Sequence, residues 1–281
     1  MSRTRVFILT LLAMLAFAGN SLLCRAAFSS SRIDAASFTS IRVIAGALVL
    51  LLIVRLRGGG REPAGSWASA LALFTYAAAF SFAYVSLTAA TGALLLFSAV
   101  QVTMIGFGLS RGERLRGWQV VGLACALGGL IGLLLPGLSA PPLRGAVPML
   151  VAGTAWGVYS LRGKGSGDPL RVTAGNFLRA VVFAVVLSAA MFPWASLDGP
   201  GVGYALASGA LASGIGYAIW YTALPGLKMT SAATVQLSVP VIAAIGGITL
   251  LGEPPTLRFL TASIAILGGI ALFIVDKQRA R

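Results

Sequence analysis

The sequence contains no histidine, two cysteines, seven carboxylates and 10% charged residues over 281 positions. Soluble globular domains carry about 25% charged residues, so so low a content excludes that class. Without histidine the usual general acid–base group and metal ligand are missing. Cys24 and Cys125 share no metal-ligand spacing; they read as packing residues, and neither a metal nor a cofactor is expected. An enzyme acting on lipid at the interface would need a catalytic cluster that these residue types do not supply.

What is present is apolar. Hydrophobic residues make up 58% of the chain, mean hydropathy is +0.92, and runs of about 20 apolar residues, enough to span a bilayer, recur. The pattern predicts an all-α integral membrane protein with ten spans near residues 5–24, 34–54, 67–86, 90–110, 117–135, 145–161, 171–192, 201–223, 229–251 and 257–275. The connections are too short for a soluble catalytic domain. The opening run to Cys24 is long for a signal peptide and is matched by an internal segment, so it reads as the first span.

The two halves repeat each other. An offset of 137 carries Arg25, Arg42 and Tyr84 onto Arg162, Arg179 and Tyr221, and an offset of 140 carries Gly112-Glu113 and Gly128-Gly129 onto Gly252-Glu253 and Gly268-Gly269. With five spans in each half, residues 1–137 and 138–281 enter the bilayer in opposite senses. Inverted repeats of this kind belong to alternating-access carriers, whose substrate site lies between the halves at the midplane. A passive channel would be expected to show a ring of like residues instead.

The net charge of +14 sorts by side. With a cytoplasmic N-terminus the cytoplasmic segments hold most of the arginines and lysines, while the opposite side has Arg25, Arg32, Arg144 and Arg258. The positive-inside rule then places both termini in the cytoplasm. The charge reports topology and attraction to anionic membrane lipids, not nucleic acid.

Rows of small residues, Ala124-Gly128-Gly132, Gly153-Gly157 and Ser208-Ala212-Gly216, predict close helix packing. Pro240 falls near the middle of the ninth span and is expected to kink it, whereas Pro148 and Pro225 lie at helix ends. Tyr76, Phe80, Tyr217 and Trp156 are deep aromatic candidates for a substrate cavity. Tyr84, Tyr159 and Tyr221, nearer helix ends, fit an interfacial belt. The buried amides of Asn20, Gln101 and Gln236 are either helix glue or substrate contacts. Arg42 and Arg179 are the charges well inside spans; steering of anionic solutes, gating with loop carboxylates, and snorkelling to the interface all fit them. The carboxylates, Asp34, Glu62, Glu113, Asp168, Asp198, Glu253 and Asp276, fall in loops or at helix ends. A proton relay normally uses intramembrane carboxylates or histidine, so uniport or exchange is the simplest expectation, with Glu113 and Glu253 the remaining coupling or gating candidates.

Gly-Glu after spans four and nine, Gly-Gly in spans five and ten, Pro240 ahead of Gly252-Glu253, and Trp156 within Thr154-Ala155-Trp156-Gly157-Val158-Tyr159 resemble the EamA branch of the drug/metabolite transporter superfamily. Phe17 before Ala18-Gly19-Asn20 keeps an aromatic where many relatives have Trp. The resemblance implies a basket of spans one, three, four, six, eight and nine around a cavity, with five and ten peripheral, in a bacterial inner-membrane protein. It also implies a secondary transporter, an exporter or exchanger of amino acids or related metabolites. A multidrug-type exporter of hydrophobic cations and a lipid carrier or scramblase are the alternatives. A small solute and membrane lipids are the expected partners, and a homodimer stays open.

Overall fold

The computed structural model describes residues 1–58, 64–112, 114–115, 117–137, 140–163, 167–227, 232 and 235–279, with side chains to residue 275. Among these residues the chain is helical, without strands. The helices are α1 (Arg3–Ser30), α2 (Ala35–Leu56), α3 (Trp67–Tyr84), α4 (Ala89–Ser110), α5 (Gly117–Leu134), α6 (Leu143–Arg162), α7 (Pro169–Ala190), α8 (Gly199–Gly226), α9 (Ser238–Leu251) and α10 (Leu257–Arg279). Polar side chains start six of them: Ser2, Asp34, Ser66, Thr88, Asp168 and Asp198 each accept a first-turn backbone N–H, satisfying donors that a helix end otherwise leaves open.

Eight of these helices are long and apolar enough to cross a membrane; α6 and α9 are not among them. The arginines at both ends of α6 and the polar residues along it lower its hydropathy. The 14-residue α9 is shorter than expected because a turn at Leu237 separates it from the helical residues Val235 and Gln236. Pro240 sits one turn beyond this break and lacks the N–H that would bond the Gln236 carbonyl, so the ninth span is interrupted at the proline as expected. Pro148 departs from expectation, lying inside α6 rather than at its end.

The most extensive packing partners map onto themselves when α1–α5 are exchanged with α6–α10. Helix α3 packs on α6 as α8 packs on α1; α4 meets α6 as α9 meets α1; α2 meets α8 as α7 meets α3. The pairs α2–α7, α4–α9 and α5–α10 are their own images. Glycine carries the closest approaches. A side chain at Gly153 or Gly157 would strike the backbone or side chains of α4, as the small-residue row predicts. In α5 the row is a different one: Gly122 and Gly129 face α10, while Gly128 and Gly132 meet nothing. The face that packs is thus offset from Ala124-Gly128-Gly132. Cys24 is buried, whereas Cys125 is exposed although its Cβ lies beside Gly269 of α10, so only Cys24 is a core residue.

Helix α8 is not uniform. Between α-helical stretches it widens to a π-helix over Ser208–Ile215, an irregularity that recurs at functional sites. Gly209 presses on the Arg42 carbonyl and Gly214 on Val49, so the widened segment lies flat against α2.

Candidate functional site

A cavity of about 850 Å³ lies between the two halves, within the 300–1,000 Å³ usual for small-molecule sites. All seven residues expected to contact a solute, Asn20, Tyr76, Phe80, Gln101, Trp156, Tyr217 and Gln236, line it. Its walls come from α1, α3, α4, α6, α8 and the segment before α9, as the family resemblance implies, and additionally from α7 through Val172, Thr173 and Asn176. The pair α5–α10 stands outside.

Its aromatic wall is continuous. Trp156 stacks on Tyr217 with centroids 5.5 Å apart and planes 16° from parallel, and touches Tyr76 at 4.9 Å and Tyr159 at 5.3 Å. Tyr217 continues to Tyr221, and Tyr76 through Phe80 to Tyr84. Tyr159 and Tyr221 line the cavity and Tyr84 is fully buried. The belt expected of these three is therefore wrong: long helices and the packing of α3, α6 and α8 carry their ends inside the bundle.

Two hydrogen-bond chains end on this wall. Ser208 Oγ donates to Asn20 Oδ1 at 2.6 Å, and Asn20 Nδ2 donates to the Tyr76 hydroxyl at 3.3 Å. On the other side, the Ser66 backbone N–H donates to Asn176 Oδ1, which leaves Asn176 Nδ2 to donate to the Tyr159 hydroxyl. Tyr159 donates onward to Thr173 and Thr173 to Tyr221. Both chains run toward the cavity and finish on a tyrosine whose proton is left to donate. Among the described residues the amides of Gln101 and Gln236 have no partner, consistent with groups held open for a solute.

The two intramembrane arginines, equivalent in sequence, differ in place. Arg179 turns toward the segment before α3, donating to the Ala64 and Gly175 carbonyls at 2.8 and 3.0 Å. Arg42 is 2% exposed, its Nη1 has no hydrogen-bond partner, and its Cζ stands 5.3 Å from the Tyr76 ring centre and 4.8 Å from that of Phe80. Burying an unpaired ion costs several kcal/mol, and cation–π contacts return only about 0.5–2 kcal/mol each. Arg42 thus remains an under-compensated positive charge behind the cavity wall.

The ends of the cavity differ. Its lining reaches Ala64, Ser66, Arg162, Gly163 and Leu224 at the end of the bundle that holds the N-terminus, where Arg162 Nε donates to Ser69. At the opposite end Glu253 joins three helices. It pairs with Arg25 of α1 at 2.9 Å and accepts the Ala89 N–H at the start of α4 at 2.8 Å, while Arg25 also reaches the Tyr84 carbonyl. Gly252 makes this possible: its φ of +65° ends α9 in the left-handed region, and the Glu253 N–H returns to the Gly247 carbonyl. At Gly252-Glu253 the Gly-Glu pair is thus a helix stop that aims a carboxylate. Glu113 lies outside the described residues. Sequence reasoning singled out Glu253 but not its partner Arg25, although Arg25 opens the repeat; nothing in one dimension joins residues 228 apart.

The chain matches the EamA-like transporter family twice, over residues 4–135 and 143–275. It is 60% identical over 274 residues to a Pseudomonas aeruginosa protein named Uncharacterized protein PA1977, covering 97% of this chain and 96% of that one. The Threonine/homoserine exporter RhtA of Salmonella typhimurium is 31% identical over 132 residues, 44% of this chain and 43% of the exporter. RhtA of Escherichia coli K12 is 28% identical over 149 residues, 50% and 49% of the two chains. A solved crystal structure superposes over 100% of both chains with a TM-score of 0.69 at 19% identity, a likeness of fold. With helices built to cross a membrane and two matched repeats around one cavity, the chain belongs to the EamA-like transporter family of the drug/metabolite superfamily, and is a transporter, not an enzyme.

Proposed function

We propose that the protein is a secondary carrier that exports or exchanges small organic solutes, amino acids or related metabolites, across the bacterial inner membrane by alternating access. The observation that carries this reading is the aromatic cavity, lined by Arg162 and by no carboxylate among the described residues, reaching one end of the bundle while Arg25–Glu253 closes the other. Stacked rings accept an apolar body, the two terminal tyrosines and the free amides accept or donate to polar groups, and 850 Å³ suits a metabolite. Aromatic faces also attract organic cations, but Arg42 and Arg162 oppose them, which favours zwitterions over a multidrug-type substrate. The amino acids named in RhtA point the same way.

In this reading ten spans form two inverted repeats, residues 1–137 and 138–281, with both termini cytoplasmic by charge bias. The exchange symmetry of the packing supports that arrangement, and the cavity then faces the cytoplasm, as an exporter loading its solute requires. The test is counterflow of labelled L-threonine, L-homoserine, L-leucine and L-phenylalanine in proteoliposomes. Saturable counterflow of at least one, reduced about tenfold or more in Trp156→Ala by loss of the stacking surface, is expected. Flux of none of them, or flux indifferent to Trp156, would overturn it.

A further inference from the structure

We propose that Arg42 and Tyr76 together form the anion subsite of the cavity, so that transported solutes must carry a carboxylate; the assignment rests on the carrier reading above and specifies its substrate class. Tyr76 lines the cavity. Its oxygen already accepts the Asn20 amide, and Asn20 is fixed in turn by Ser208 from the π segment, so the tyrosine proton is directed to a cavity acceptor. Directly behind the ring stands the Arg42 guanidinium, 5.3 Å from its centre, buried, with an unpartnered Nη1. The described carboxylates Asp34, Asp168, Asp198 and Glu253 are all engaged at helix ends, leaving none beside Arg42. A fixed charge in a low-dielectric interior acts strongly over such distances. A solute carboxylate accepting from Tyr76 therefore supplies the counter-charge that the protein withholds, and its apolar part lies against Trp156 and Tyr217. The groups that face Arg42 are the Tyr76 and Phe80 rings, the Cys24 thiol and the Tyr217 hydroxyl, none of them a carboxylate.

Removing only the carboxylate tests this. L-Threonine, L-leucine and L-phenylalanine are each compared with their carboxamides, as competitors of counterflow and as ligands that raise the thermal midpoint of the purified chain. In wild type each acid that is transported should compete about tenfold or more better than its amide, the worth of a charge-assisted hydrogen bond. Arg42→Met should collapse that ratio toward one while the unliganded midpoint rises or holds, since an unpaired buried charge has gone. Arg42→Lys should keep part of the ratio, and Tyr76→Phe should lower it with the ring retained, so the subsite is testable even where Arg42→Met fails to fold. A purely structural arginine would change protein yield or maximal flux but not the acid-to-amide ratio. Equal competition by acid and amide in wild type, or an unchanged ratio in the variants, would overturn the subsite and leave the carrier reading intact. Absence of thermal protection by all three acids together with no counterflow of any of them or of L-homoserine would overturn both.

Discussion

At the residue scale, the closed end is held by a few polar groups that each serve two elements. Asp34 caps α2 through Ala36 and Ser37 and also accepts the Ser196 N–H before α8. Asp198 caps α8 and accepts the Arg32 N–H before α2. The connections before α2 and α8 are therefore tied reciprocally. Burial works to raise the Asp34 carboxyl, but hydrogen bonds from Ser37, Ser196 and Ala36 outweigh it and hold the group below its ordinary value of 3.8. A carboxylate lowered by folding stabilises the fold when ionised: the contribution is complete above pH 3.8 and is lost as pH falls through the folded value. Asp34→Ala should thus cost about 1 kcal/mol at pH 7 by loss of a cap. The difference in thermal midpoint from wild type should close below pH 3.8; a difference independent of pH would refute the assignment. Residues of this kind were partly legible. Seven cavity residues could be picked because large aromatics and amides are costly in lipid without a purpose, whereas Tyr159 and Tyr221 were misplaced because distance from a helix end does not say which way the helix faces.

At the element scale, helices announce themselves by hydropathy, but their faces do not. Every turn of α5 offers small residues, and only contact with α10 selects Gly122 and Gly129 over Gly128. The π-helix of α8 was equally hidden, since Ser208–Ile215 reads as an ordinary small-residue stretch. Its role is to bring Ser208 to Asn20 and Gly209 to α2. Gly209→Val, which places a branched side chain against the Arg42 carbonyl and Ala45, should destabilise by about 1–3 kcal/mol through overpacking. Gly128→Val, on the open face of α5, should leave the thermal midpoint of the detergent-solubilised protein unchanged. Equal effects of the two would contradict the packing described.

At the scale of the whole molecule, duplication was readable because sequence offsets survive where contacts are invisible, and the exchange-symmetric packing gives that duplication a physical form. In the proposed reading the cavity, which reaches one end of the bundle while Arg25–Glu253 joins helices at the other, is reached from only one side at a time. The direct test uses Ser213→Cys, which lines the cavity, with Cys24→Ala and Cys125→Ser to remove the native thiols. A membrane-impermeant maleimide is applied to oriented vesicles from either side. Labelling is predicted from the side bearing the N-terminus, falling when transported amino acid is present. With Glu253→Gln, which breaks the pair to Arg25, labelling is predicted to shift toward the opposite side. Labelling from both sides at once in the wild-type background, or a side preference unmoved by both solute and Glu253→Gln, would contradict alternating access.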